Sequence, residues 1–144
     1  MKLDIGCGSH KIDRDFIGLD VSRGPCVNVV GSADALPFKN ESFAEVFTKR
    51  CVQHVKNDRR VLSETYRILV KNGEFKLVVA SWRGWLYYQV KWFLRKKPYS
   101  LFHLYTSGKL EKMFQEAGFH SIHIDKASSV RRFGYDIVIE TRKE

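Results

Sequence analysis

Short apolar runs separated by turn residues fill the first half of the chain, and helical periodicity enters only later. Residues 2–5 read as a buried strand that breaks at Gly6-Cys7-Gly8. A second run, Phe16-Ile17-Gly18-Leu19, ends on Asp20, and residues 27–30 offer a brief third strand. The connections 8–16 and 22–26 are shorter than the roughly ten to twelve residues that a parallel crossover with its helix needs. Gly24-Pro25 marks the second of them as a turn. One face of a parallel sheet would then be thinly covered. That predicts exposed apolar surface and, with it, a homodimer or a partner protein.

Residues 46–48 read as the fourth strand. Asn57 or Asp58 can cap a helix carrying Val61, Leu62, Thr65, Ile68 and Leu69 on one side, with its end at Lys71-Asn72-Gly73. Residues 75–80 supply a fifth strand. Thr106-Ser107 caps a further helix with Leu110, Met113, Phe114 and Ala117 on its apolar side and Gly118 past its end. Residues 122–124 and 135–139 complete the sheet as an antiparallel pair. The stretch 83–97 can also be helical, with Arg83, Tyr87, Lys91 and Arg95 on one side and Trp85, Leu86, Val90 and Phe93 on another.

A length of 144 residues fits one domain with a real core, and 44% hydrophobic with 28% charged residues is ordinary for a globular chain. No repeat or low-complexity segment points to a solenoid or a disordered chain. The net charge of +9 suits an anionic partner, or serves solubility alone. It is unevenly spread. Residues 81–105 hold Arg83, Lys91, Arg95, Lys96 and Lys97 without any acid, among all three tryptophans and six further aromatics. Such a segment suits RNA, an anionic membrane surface or a partner; alternatively its aromatics cover the sheet. Cys7, Cys26 and Cys51 are an odd number without metal-ligand spacing, as in a reducing compartment. Neither a signal peptide nor a transmembrane segment is evident, so a cytoplasmic location is expected.

Strand, glycine turn, strand, acid is the pattern of a nucleoside site at the carboxyl edge of a parallel sheet. The glycines let a ligand approach the backbone, and the Asp20 carboxylate can accept both hydroxyls of a ribose. The dinucleotide version of this motif wants a small residue where Lys11 stands, and an acid later than Asp20. A nucleotide-dependent oxidoreductase therefore fails on spacing. No metal cluster, Ser-His-Asp set or phosphate loop competes. Lys49 and Arg50, at the end of the fourth strand, are either solvated loop cations or a grip for a phosphate or carboxylate.

Asp4-Ile5-Gly6-Cys7-Gly8 resembles the first motif of class I S-adenosylmethionine-dependent methyltransferases. Asp34-Ala35-Leu36-Pro37-Phe38, followed by Ser42-Phe43-Ala44-Glu45-Val46, resembles a second family segment, with Ala44 where the family usually has Asp. His54-Val55 matches a His-Val pair. Residues 64–73 resemble E-x-x-R-x-L-K-P-G-G, and residues 105–119 resemble Y-T-x-x-x-L-x-x-x-F-x-x-A-G-F. These segments stand in family order over nearly the whole chain, which is identified as a member of that superfamily. Three departures are His10 where a third glycine is common, the missing crossover helices, and the lack of a helix before the first strand.

The resemblance implies a single-domain, Rossmann-like α/β fold over residues 1–144. Its sheet would be seven-stranded and mostly parallel, with an antiparallel C-terminal strand and shortened crossovers in the first half. It also implies S-adenosylmethionine as cosubstrate. Asp4, Gly6, Cys7 and Gly8 would lie along the methionine and ribose, Asp20 and Val21 at the ribose, Asp34 and Ala35 at the adenine, and Lys49 at the strand edge. The implied activity is methyl transfer to an unidentified anionic acceptor: RNA, a phosphorylated metabolite or an acidic lipid. Residues 81–105 would lie on the acceptor side. The alternative is a weakly active or inactive binding or partner subunit of the same fold. A sulfonium methyl is already electrophilic, so alignment can suffice and no catalytic residue is required. His54 is the nearest candidate base, or else a structural histidine.

Overall fold

The computed structural model describes residues 1–81, 102–128 and 135–144. Seven strands form one sheet: β1 (Lys2–Ile5), β2 (Phe16–Asp20), β3 (Val29–Val30), β4 (Phe43–Lys49), β5 (Leu69–Ala80), β6 (Ser121–Ser128) and β7 (Tyr135–Arg142). Their order is β3-β2-β1-β4-β5-β7-β6. β1 to β5 run parallel to one another, and β7 is antiparallel to both β5 and β6. This is the Rossmann-like methyltransferase architecture expected from the sequence, in a single domain.

Helix α1 (Asp58–Ile68) starts where expected, with the Asn57 side chain accepting from Arg60 N–H. It ends earlier than the periodicity suggests. Leu69 is already extended and pairs with Phe43, so β5 begins at once. Asn72, at φ 61°, makes the left-handed turn that the helix-end reading gave to Gly73. Gly73 serves close packing instead: a Cβ there would stand 2.9 Å from the Val70 carbonyl and 3.3 Å from that of Ala44. Helix α2 (Ser107–Glu116) is capped by Thr106, whose hydroxyl accepts from Lys109 N–H. Gly118 follows it at φ 105°, with the Tyr66 ring 3.0 Å from where a Cβ would sit. The helix expected over 83–97 lies outside the described residues.

Both helices pack on one face of the sheet. Val61, Leu62 and Ile68 of α1 and Leu110, Met113 and Phe114 of α2 share a core with Leu3, Ile5, Leu19, Val46, Phe75, Leu77, Ile137 and Ile139. Phe75 stacks on Phe114 with ring centroids 5.5 Å apart. Residues 6–15 and 21–28 join parallel strands without any helix, as their lengths predict. Among the described residues, no helix lies on the second face.

That second face is not the apolar surface anticipated from the sequence. Its apolar part is a small island of Phe16, Phe47, Val78 and Val138. Around it, cross-strand ion pairs join Lys2 to Glu45, Glu74 to Arg142, and Lys76 to Glu140. Strict alternation places the charges there, because the opposite residues of the same strands fill the core. Exposed pairs of this kind contribute about 0–1 kcal/mol each, so their effect is mainly to keep the face hydrated.

Side chains do the work of the missing helices. Asp4 Oδ2 accepts from Ile12 N–H at 2.8 Å and pins the β1–β2 connection to the sheet. Lys11 Nζ donates to the Phe16 carbonyl at 2.9 Å and to Asn28 Oδ1 at 3.2 Å. Asn28 Oδ1 also accepts from Gly18 N–H at 2.9 Å. A Cβ on Gly18 would stand 2.2 Å from the Cys26 carbonyl, so only glycine lets this connection lie on β2.

Candidate functional site

β1, β2, β3 and β4 all end at one edge of the sheet, where a cleft of about 250 Å³ opens. Gly6, Leu19, Asp20, Val21, Gly31, Ala33, Arg50, Cys51, His54 and Val55 line it. Gly6 turns the chain at φ 75°, and its N–H donates to the Leu19 carbonyl at 2.7 Å. A Cβ at Gly6 would fall 2.4 Å from Cys51 Cβ, so the turn after β1 and the segment after β4 approach as closely as backbone allows.

Asp20 is the fixed acid of the cleft. Its Oδ2 accepts from Gly8 N–H at 3.0 Å and its Oδ1 from Ser22 N–H at 3.2 Å. The second glycine thus orients the acid through its backbone: its N–H, rather than its missing Cβ, is the part in use. A Cβ at Gly8 would meet nothing within 4 Å. An ionised carboxylate has about four lone-pair positions, so two backbone donors leave capacity for two hydroxyls.

The other sequence candidates lie as follows. Val21 lines the cleft and is exposed. Asp4 is buried beneath the β1–β2 connection; burial raises its carboxyl while the Ile12 N–H opposes the shift. Cys7 Sγ turns toward the Cys26 carbonyl, away from the cleft lining. Ala33 lines the cleft, whereas Asp34 and Ala35 lie outside its lining, and Asp34 accepts from the Ser32 hydroxyl. Lys49 borders a separate hollow of about 370 Å³ with Asp4, Gly6, Cys7 and Lys11. His54, in the single 3₁₀ turn Val52–His54, lines the cleft.

Arg50 is the cation that the geometry selects. It follows β4 in the left-handed region at φ 57°, its N–H donating to the Val78 carbonyl at 2.7 Å. Its Nη2 donates to Asp136 Oδ2 at 2.7 Å. Lys49 is the last residue of β4 and Arg50 lies past it in the left-handed turn, so the two border different hollows. The sequence named both cations but could not say which one turns inward. Cys51 is part of the cleft wall and Cys7 lies outside it; burial pushes the Cys51 thiol up to about 12 and the Cys7 thiol up to about 11. Both shifts disfavour the thiolate that nucleophilic catalysis requires.

Residues after the undescribed segment close over the cleft wall. Phe102 N–H donates to the Gln53 carbonyl at 3.0 Å, and His103 Nε2 donates to that of Val55 at 2.9 Å. The Tyr105 hydroxyl donates to Asp58 Oδ2 at 3.0 Å; burial, with Asp58 beside it, pushes the phenol upward. A hollow of about 560 Å³ on the second sheet face, among Glu45, Glu74, Lys76, Glu140 and Arg142, lies away from this edge. Among the described residues, no group of His, Cys, Asp and Glu could hold a metal ion. No described helix is long and apolar enough to cross a membrane.

The family model for a methyltransferase domain matches residues 3–77, which carry the glycine turn, Asp20, the cleft wall and helix α1. The chain belongs to this methyltransferase family. An uncharacterised protein of Methanocaldococcus jannaschii is 33% identical over 105 residues, covering 65% of this chain and 40% of its own length. The chain thus spans less than half of that relative. The demethylmenaquinone methyltransferase of Symbiobacterium thermophilum is 27% identical over 81% of this chain and 67% of its own. An S-adenosylmethionine-dependent methyltransferase of Thermotoga maritima superposes with a TM-score of 0.73 at 21% identity, covering 99% of this chain and 82% of that one.

S-adenosylmethionine is the cosubstrate named for the Thermotoga maritima methyltransferase. The cleft's chemistry fits it. Asp20 offers acceptors for ribose hydroxyls, while Leu19, Ala33 and Val55 offer apolar wall to a base. Gly6 brings bare backbone to the junction between them.

Proposed function

We propose that this methyltransferase transfers the methyl group to an anionic acceptor, with the cosubstrate seated in the cleft at the ends of β1, β2 and β4. The observation that carries the seat is Asp20, held at the cleft by Gly8 N–H and Ser22 N–H. When bound, S-adenosylmethionine supplies a sulfonium methyl that is already electrophilic. The protein's part is then to orient and to exclude water. Asp20 fixes the ribose, Gly6 admits it to the backbone, and the apolar wall keeps the reacting end dry. Alignment of this kind is worth roughly 7–11 kcal/mol. His54, on the cleft wall, is the side chain we assign as proton acceptor where the acceptor atom needs one.

The net charge of +9 and the acid-free segment 81–105 support an anionic acceptor: RNA, a phosphorylated metabolite or an acidic lipid headgroup. Three free cysteines among the described residues support a cytoplasmic setting. Calorimetry with S-adenosylhomocysteine tests the seat. Asp20→Ala should weaken binding at least about tenfold, since charge-assisted hydrogen bonds contribute about 1.5–3 kcal/mol each. Equal affinity for both proteins removes Asp20 from the site. Replacing Lys91, Arg95, Lys96 and Lys97 by Gln tests the acceptor side; unchanged methylation at low and high salt would make those cations plain surface.

A partner subunit is the second reading, supported by the described helices lying on one face of the sheet. Parallel sheets are ordinarily covered on both faces, and here the described helices cover one. A second copy of the chain or another protein would meet the ion-paired face. Sedimentation giving a monomer that still binds S-adenosylhomocysteine argues against it.

A further inference from the structure

We infer that β6 is the seam of a homodimer, its outer edge pairing antiparallel with β6 of a second copy in a register centred on Ile124. The inference is independent of the cosubstrate seat, and it places the second copy at the sheet's edge rather than on the ion-paired face. The two edges of the sheet differ. β3 is two residues long, too short to template another strand. β6 runs for eight residues and matches β7 position for position without a bulge. It contains neither proline nor glycine. Among the described residues no strand pairs with its outer side, so a row of backbone donors and acceptors faces outward there. Brevity, bulges and proline are the usual guards of an edge strand, and β6 has none of them. Charge is the guard that remains, and charge also selects the register.

Ile122 and Ile124 are packed against the core. His123 and Asp125 alternate with them on the other face, 70% and 65% exposed, with Nε2 3.0 Å from Oδ2. A two-fold axis normal to the sheet keeps the core faces of both copies on one side, so each residue must meet one of its own parity. Centring the pair on Asp125 sets two carboxylates opposite each other, and centring it on Lys126 sets two ammonium groups opposite. Like charges in those positions are destabilising. Centring on His123 opposes two imidazoles and leaves Asp125 facing Ser121. Centring on Ile124 sets His123 opposite Asp125 of the second copy on both sides of the axis, with Ile124 against Ile124. Each carboxylate then stands between two imidazoles, and the apolar row runs on from one core to the next. Ile122 falls opposite Lys126, whose apolar stem can cover it. Of these registers, the one centred on Ile124 joins acid to base.

Sedimentation of the full chain tests the seam. Wild type should be a dimer at micromolar concentration. His123→Asp sets acid against acid across the axis, and Asp125→His sets imidazole against imidazole. Each variant alone should dissociate about tenfold or more readily, because two cross-strand pairs turn from attraction to repulsion. Mixed in equal amounts, the two variants bring acid and base together again on both sides of the axis, and a heterodimer should form with nearly wild-type affinity. Mixing rescues nothing if the His123–Asp125 pair matters only within its own strand. Both positions are exposed, so thermal melts of the variants should show intact folds. Wild type that stays monomeric up to millimolar concentration overturns the seam. A dimer that both variants leave intact also overturns it and moves the contact to another surface, such as the ion-paired face. Monomeric variants that mixing does not join overturn it as well. β5 and β7 separate β6 from the cleft strands, so both variants should bind S-adenosylhomocysteine like wild type. Failure of the seam therefore leaves the methyl-transfer reading standing, and loss of ligand binding in wild type leaves the seam standing.

Discussion

Arg67 grips Glu64 through two hydrogen bonds of 2.8 Å, from Nε to Oε1 and from Nη2 to Oε2. The same pair also holds the loop that runs into β4. Glu64 Oε2 accepts from Leu36 N–H, while Arg67 donates to the carbonyls of Leu36 and Phe38 and to Asn40 Oδ1. Two family segments that look independent in the sequence, Leu36-Pro37-Phe38 and the Glu64/Arg67 pair, are therefore one device. It ties the loop following the Ala33 wall to helix α1.

Removing Arg67 should unfasten that loop. Arg67→Ala leaves a half-buried carboxylate and two carbonyls short of donors, so a loss of about 3 kcal/mol is expected in denaturant unfolding. The hydrogen bonds from Arg67 hold the Glu64 carboxyl below its ordinary range. A depressed carboxyl stabilises the fold above its unfolded value and loses that contribution as pH falls through the folded value. Wild type should thus lose stability on acidification, and Arg67→Ala should lose less over the same window. Parallel pH profiles for the two proteins would refute this.

Asp4 should titrate with the opposite sign. Burial raises its carboxyl, so its ionisation costs the fold stability as pH rises from the unfolded value through the folded one. Asp4→Asn removes that dependence and keeps an oxygen for Ile12 N–H, so the variant should match or exceed wild type at neutral pH. Asp4→Ala deletes the acceptor and should cost about 1–3 kcal/mol. Thermal melts across mild acid and neutral pH check both, and a neutral Asp4→Asn loss as large as that of Ala would sink the account.

The two glycines of the turn should respond differently to alanine. At Gly6 a Cβ would collide with Cys51 Cβ at 2.4 Å and Sγ at 2.6 Å, on top of a left-handed φ. Overpacking and strain together predict a loss of about 2–4 kcal/mol and of cosubstrate affinity. Cys51→Gly in the same chain should restore much of it, and Cys51→Ala little, because the Cβ remains. At Gly8 the Cβ has open space and the N–H to Asp20 survives, so Gly8→Ala should cost about 1 kcal/mol. Equal losses at the two positions would show that conformation alone decides.

The sequence by itself determined the sheet's membership, the glycine turn and acid that meet at the strand ends, and the absence of helices between the first three strands. These are local properties. Apolar alternation, glycine position and connection length are each written within about ten residues, and short-range sterics reads them directly. Only the tertiary structure decided which side of the strand edge each candidate faces. Lys49 and Arg50 are adjacent and chemically alike, yet the left-handed turn at Arg50, closed by Asp136 some eighty residues later, sends one to the cleft and the other behind it. Gly73 likewise reads as a helix end, although β5 begins at Leu69 because Phe43 of β4 claims that residue for the sheet. The charged second face follows the same logic. Alternation shows that a strand has two faces, but which face the helices cover is fixed by where α1 and α2 pack, and that is a property of the assembled core.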